Sequence, residues 1–412
     1  MKLDRLIARS TLLLQAVLLF PSQLNAQDRM SDHIRVDTII SLTREISNTY
    51  TDVVYARHGR KVLFTCYEAK RHVDTVSLFL VDVDSLTCKR LMLNVPGIGR
   101  HLQERRYKGL RCIAFDAQHV FVAFADRLLQ CRYADGLKLE VGKETTIEQP
   151  FDEMYLLNEH LLVFSHCYPS YNEGKSSVHL FTFDIPTFKV QRTIIPDYNT
   201  VLMAPIKPFK KMDAKEGKVL WANRNEYSFT IYDSQLEKEG VVKEEELKFK
   251  GIPSKRINSI SKKKLSGADL IEEIRPLIFA HDRIEYAYLI DEGNVAIVRV
   301  PRKTGQSLTK ATLDWWNKQE GTWRRKYTDV EDWAYYEVPY TEPVRRNHLQ
   351  IDWLSGASVV VFNDKILSIK TNAVPISPLG ISRKDYHEWQ EHWLLHHDTH
   401  MQIAIITHDF AQ

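Results

Sequence analysis

The stretch GRKVLF, Gly59 to Phe64, is echoed by AQHVFV from 117, NEHLLV from 158, EGKVLW from 216, EGNVAI from 292 and NDKILS from 363. Each copy sits between two apolar runs. DVVYA leads through RHGRK into VLFTC, RCIAF through DAQH into VFVAF, and MYLL through NEH into LLVFS. The later three are FKKM, DAKEGK, VLWAN; YAYLI, DEGN, VAIVRV; and SVVVF, NDK, ILSIK. β-Branched and aromatic residues flanking Gly, Asn and Asp turns predict a β-hairpin at every copy.

A third strand and a second turn follow several hairpins, most clearly in LFLVDVDSLTCKR, LFTFDIPTFKV and FTIYDSQLEKE, with LLQCRYADGLKL a looser version. The repeating unit is therefore a four-stranded antiparallel meander. Hairpins recur roughly every 40 to 75 residues, a spacing that points to propeller blades. The chain ends support a ring. MQIAIITHDF follows the sixth hairpin without a fourth strand, and HIRVDTIISL at 33–42 has no hairpin partner before the first. Lending the N-terminal strand to the last blade uses both leftovers and removes two sheet edges.

These features resemble the six-bladed β-propeller superfamily in its loose TolB-like or NHL-like sense, as found in secreted proteins of Gram-negative bacteria. The resemblance spans about residues 33–412 and implies an all-β fold. It carries over no functional residue: the sialidase S-x-D-x-G-x-T-W box, YWTD repeats and a G-x-S-x-G segment are all missing from the sequence.

With 412 residues, 44% hydrophobic and 26% charged, the composition is that of a globular protein with a sizeable core. Lys2, Arg5 and Arg9 precede the apolar run TLLLQAVLLF, and PSQLNA ends in Ala26. That pattern predicts a signal peptide over 1–26, a mature domain over 27–412, and a periplasmic or extracellular location. The apolar run is too short to span a bilayer. Signal removal lowers the formal charge from +3 to +1, which gives no reason to expect nucleic acid as a partner. The five cysteines, Cys66, Cys88, Cys112, Cys131 and Cys167, lie in or beside strand-like runs and read as buried thiols, with one disulfide open to them in an oxidising compartment.

In a propeller the turns between strands one and two, and three and four, share one face, and the other links share the opposite face. The short turns here fall in the first set. The long segments 95–109, 165–177, 196–208, 251–283, 301–329 and 371–400 fall in the second, the last three reading as helical or loop insertions. One elaborated face on a rigid scaffold is where binding is expected. Five of eight tryptophans, Trp315, Trp316, Trp323, Trp389 and Trp393, sit in the last two insertions. With Arg324, Tyr327 and Tyr386 they predict a platform for a sugar ring or a peptide aromatic, or else the small core of a cap. His101 and Arg105 of the first linker would join them if the ligand is acidic.

Ser382 and Asp385 resemble a capping box opening a helix through RKDYHEWQEHWLLHH. Glu388, His392, His396 and His400 then share one stripe, so His392 and His396 are candidates for a divalent metal, although solvated histidines are the commoner explanation. The predicted function is binding of a glycan, a peptide or an envelope protein through the loop-rich face. The alternative is a hydrolase or lyase at the channel mouth, for which Asp52, Glu153, Lys210, Glu285 and Ser358 hold approximate positions without forming a recognised constellation. Arg57 and His58 read as solvated turn residues on the opposite face.

Overall fold

The computed structural model describes residues 34–43, 53–65, 75–95, 110–124, 127–134, 136–147, 151–170, 175–196, 212–223, 226–243, 249–261, 280–300, 312–327, 335–339, 348–352, 358–371 and 399–409, with isolated positions between 263 and 277. Setting aside β1 (Ile34–Thr43), the first meander is β2 (Val54–His58), β3 (Lys61–Thr65), β4 (Thr75–Asp82) and β5 (Thr87–Asn94). The second is β6 (Cys112–Phe115), β7 (His119–Ala123), β8 (Arg127–Ala134) and β9 (Lys138–Thr146). A short parallel pairing, Met92 with Lys138 and Leu93 with Leu139, fuses these two into one eight-stranded sheet.

Three separate four-stranded antiparallel sheets follow. They are β10 (Glu153–Asn158) to β13 (Lys189–Ile194), β14 (Met212–Lys215) to β17 (Lys238–Lys243), and β18 (Arg283–Asp291) to β21 (Thr322–Tyr327). Within them β11 is Leu161–Ser170, β12 Lys175–Asp184, β15 Lys218–Asn223, β16 Ser228–Tyr232, β19 Asn294–Val300 and β20 Thr312–Gln319. A small hairpin of β22 (Tyr335–Pro339) and β23 (His348–Asp352) precedes the last sheet. That sheet has the order β1, β26 (Thr399–His408), β25 (Lys365–Thr371), β24 (Ser358–Val361). The N-terminal strand thus completes a sheet otherwise made by the end of the chain, with Ile39 opposite Ala404 and Ile40 opposite Ile403.

The meanders repeat their local chemistry. Asp82, Asp184 and Asp233 each close the turn after a third strand by accepting backbone N–H bonds from residues two to four positions on. Leu86, Phe188 and Leu236 follow in the left-handed region, at φ of 54°, 57° and 56°. The first strands β2, β6, β10, β14, β18 and β24 neighbour one another in chain order, and Tyr55 of β2 donates to the Val359 carbonyl of β24 at 3.1 Å. The apolar faces meet between successive sheets. One cluster joins Phe64 and Val81 to Trp315, Leu367 and Ile405; another joins Phe229 to Leu289, Ile297 and Trp316.

Two expectations are corrected. Segment 301–329 is not an insertion over its described part: 312–327 are β20 and β21, the third and fourth strands of their sheet. The turn read as DAKEGK is shorter, because Met212–Lys215 is strand and only Glu216 and Gly217 turn, both left-handed at φ of 52° and 77°. Within 251–283 lies a single-turn-pair helix, α1 (Ser254–Ser261). The interior of 371–400 and the segment 1–26 lie outside the described residues. Among the described residues no helix is long and apolar enough to cross a membrane. Cys88, Cys112 and Cys131 are free thiols, and burial pushes Cys88 and Cys131 up to about 11 and about 12, so neither is ionised at neutral pH.

The closing sheet carries a pH-sensitive strut. His408 is buried on β26, with Nε2 3.0 Å from the Phe362 carbonyl and its ring edge-on to Trp315. A carbonyl only accepts, so Nε2 carries the proton in the neutral ring. Burial pushes the imidazole down to about 4, with the Phe362 carbonyl and the Asp364 and Asp409 carboxylates pulling partway back. The unfolded chain takes up this proton near 6.5 and the folded protein does not until about 4. Stability is therefore complete above 6.5 and falls as pH drops through that window, by roughly 2–3 kcal/mol at pH 4.5. Urea midpoints of His408→Gln, compared with the parent at pH 7 and 4.5, should show that this part of the acid sensitivity is gone; equal pH dependence in both proteins would refute the assignment.

Candidate functional site

The first hairpins end in short turns, and at two of them left-handed residues carry the chain round, as a strand pair with a right-handed twist favours. Gly59 supplies that conformation between His58 and Lys61, at φ of 56°. These turns converge. Residues 58–60, 116–119, 158–160, 215–217, Ile290 and 362–363 line a single cavity of about 940 Å³. All six meanders contribute to it.

Arg57 lines the same cavity, and it is not a solvated turn residue. β2 runs on through His58, so Arg57 belongs to the strand, and its side chain is only 8% exposed. Nη1 donates to the Val361 carbonyl at 2.7 Å, and Nη2 to the Leu289 carbonyl at 2.7 Å and to Asp213 Oδ2. Asp213, 4% exposed, also accepts the Leu289 backbone N–H at 2.8 Å. One guanidinium thus ties β2 to β14, β18 and β24. Two residues deeper, on the same faces of their strands, Tyr55 and Tyr288 bring their hydroxyls 2.5 Å apart beside the Val359 carbonyl, and their two protons serve two of the three contacts at a time. Burial raises both phenols well above the ordinary value, so they stay protonated. Deeper still, Glu153 accepts the Met212 N–H at 2.9 Å and lies 3.5 Å from the Tyr155 hydroxyl.

The rim is polar, and its strongest charges are engaged within the protein. Arg60 bridges Asp84 and Asp364 over the Phe362 ring, and Lys215 donates to the Ile290 carbonyl with Glu216 at 3.7 Å. His119 Nδ1 lies 3.6 Å from Asp116, whose carboxylate also accepts the Gln118 and His119 N–H groups at 2.6 Å. His58 sits edge-on to Phe115, and His160 is exposed. Among the described lining residues there is no Ser, Thr, Cys or Tyr to serve as a nucleophile. The chemistry on offer is that of imidazole, carboxamide and carboxylate groups above a base that holds the buried Arg57–Asp213 pair.

Of the residues expected to bind, the described ones are not gathered together. Trp315 and Trp316 lie on β20 with their side chains in the core, so neither presents a face to a ligand. Trp315 Nε1 donates to Asn294 Oδ1 at 3.1 Å, and Trp316 Nε1 to the Tyr227 hydroxyl at 3.1 Å. That hydroxyl donates to Asp314, which Arg299 also reaches, giving a buried polar network between two sheets. Trp323, on β21, is half-buried edge-on to Phe229 and borders a groove of about 640 Å³ beside β17. Arg324 is exposed, and Tyr327 ends β21. His101, Arg105, Tyr386, Trp389, Trp393, His392 and His396 lie outside the described residues, as do Asp52 and Lys210. Among the described residues no three His, Cys, Asp or Glu side chains are placed to hold a metal ion. Glu285 pairs with Arg283 at 2.9 Å, and Ser358 opens β24.

Fold and cavity define an all-β protein of repeated four-stranded antiparallel meanders, five of whose first turns line one site. Its fold is similar to that of a Bacteroides fragilis protein described as exported, with a TM-score of 0.52 at 11% identity over 92% of this chain and 96% of that one. It is similar again to a member of the DUF4221 family from Bacteroides vulgatus, with a TM-score of 0.51 at 10% identity over 92% and 99%. No protein-family model and no curated protein matches the sequence.

Proposed function

We propose that the chain is an exported six-bladed β-propeller, periplasmic or extracellular, that works as a binding module for a glycan, a peptide or another envelope protein. The observation that carries this reading is the cavity of about 940 Å³ lined by the first turns of five meanders and by Ile290 of β18. Its size falls within the range of small-molecule sites, roughly 300–1,000 Å³. The buried layers of Arg57, Asp213 and the tyrosines give such a site a fixed base. The lining also carries Asp116, Glu159, Glu216, His58, His119 and His160, so acid–base hydrolysis at the same site is the second reading. Export is supported by the basic and apolar pattern of residues 2–26 and by the likeness in fold to a protein described as exported.

The test is a thermal-shift screen of the mature protein with oligosaccharides and short peptides, followed by hydrogen exchange on any hit. A ligand should raise the melting temperature saturably and slow exchange at 58–60, 116–119, 158–160, 215–217 and 362–363. Protection confined to 96–109 and 372–398 would instead move the site to the loop-rich end, to Trp389 and Trp393.

A further inference from the structure

The cavity's charges are arranged in a way that selects among ligands. Each fixed cation on its wall already has an internal partner: Arg57 has Asp213 and two carbonyls, Arg60 has Asp84 and Asp364, and Lys215 has the Ile290 carbonyl and Glu216. An anionic ligand would have to compete with those carboxylates and would meet Glu159 and Glu216 at the rim. The exposed polar groups left for a ligand are the carboxamides of Gln118, Asn158 and Asn363 and the imidazoles of His58 and His160, beside the Glu159 and Glu216 carboxylates. A carboxamide both donates and accepts, and so does a neutral imidazole. That is the complement of a hydroxyl, which also does both. Ala117, Leu156, Ala214 and Ile290 supply apolar wall between these groups, and apolar surface interspersed with two-way hydrogen-bonding groups matches the alternation of C–H and O–H on a sugar ring.

Resting on the binding-module reading above, we infer that this cavity takes an uncharged oligosaccharide, held by Gln118 and Asn363 from the turns on either side of the β2–β3 hairpin. The experiment is calorimetric titration of the full mature protein with neutral hexasaccharides of maltose, xylose and mannose type, with a hexagalacturonate, and with a lysine-rich peptide. Two double variants are run beside the parent: Gln118→Ala with Asn363→Ala, and the near-isosteric Gln118→Glu with Asn363→Asp. Both positions are exposed turn residues, so an unchanged urea midpoint certifies the fold.

At least one neutral hexasaccharide should bind, the hexagalacturonate should bind about tenfold or more weaker, and both double variants should weaken the neutral ligand about tenfold or more. Preference for the acidic sugar, or neutral-sugar binding that both variants leave intact, overturns the inference. Binding of the lysine-rich peptide alone, weakened by the variants, overturns it while leaving the cavity as a binding site. Silence from every probe overturns it as well, and hydrogen exchange with envelope extract then decides whether the cavity binds at all.

Discussion

Replacing Arg57 by Ala should destabilise the protein by about 3–5 kcal/mol, because it strands a buried carboxylate. Asp213 would lose its guanidinium while keeping the Leu289 N–H, and the Leu289 and Val361 carbonyls would each lose the Arg57 donor. Water cannot readily compensate, since the Asp213 side chain is 4% exposed. Arg57→Lys should recover only part of the loss, as an ammonium cannot span two carbonyls and a carboxylate with the guanidinium's fixed fork. Arg57→Met combined with Asp213→Leu should cost much less than Arg57→Ala alone, because both charges leave together. Urea midpoints of the four proteins check this, and a single variant as stable as the parent would remove Arg57 from the centre of the fold.

Trp315→Ala should cost a similar amount, about 3–5 kcal/mol, from lost burial and the cavity left behind. The indole is fully buried among Tyr288, Val360, Leu367 and Ile403, and its N–H is bonded to Asn294. Asn294 would keep its contacts to Asp291 and Asn317, so the loss is chiefly one of packing. Trp315→Phe should lose less, retaining most of the apolar volume. A surface platform residue would behave oppositely, losing ligand affinity with the unfolding midpoint unchanged.

The hairpins were legible because their interior-facing positions are Val, Ile, Leu and Phe and their turns carry Asp, Asn or Gly. Val62 and Phe64, or Val120 and Val122, announce a buried strand in isolation. The pairing of β1 with β26 was legible as well, as two unmatched alternating strands at the chain ends. β20 was hidden because Asp314 interrupts the apolar run LDWW and sits inside all the same, satisfied by Arg299 and Tyr227. A sequence shows the polar residue but not the partners that make its burial affordable.

The same reason hid the base of the cavity. Arg57 was read into the turn RHGRK and Asp213 into DAKEGK, each a polar residue next to a true turn. Their charges cancel only when β2 and β14 are brought together, which local pattern does not reveal. A usable signal was present: opposite charges one position out of step near the ends of two first strands. Tryptophan suits packing as well as recognition, and Trp315 and Trp316 face the core.

The partnership of β1 with β26 also sets a schedule. Val36 pairs with Ile406 and Ile39 with Ala404, so contacts between residues this far apart in sequence close one of the longest loops the chain can form. Such contacts are the slow ones in folding, since the entropy of closure precedes any reward. β24 to β26 can form their own antiparallel sheet early, while β1 waits with its edge unpaired. During that interval a second copy of the chain could supply the missing strand, giving an exchanged dimer whose closing sheet is native in every pairing.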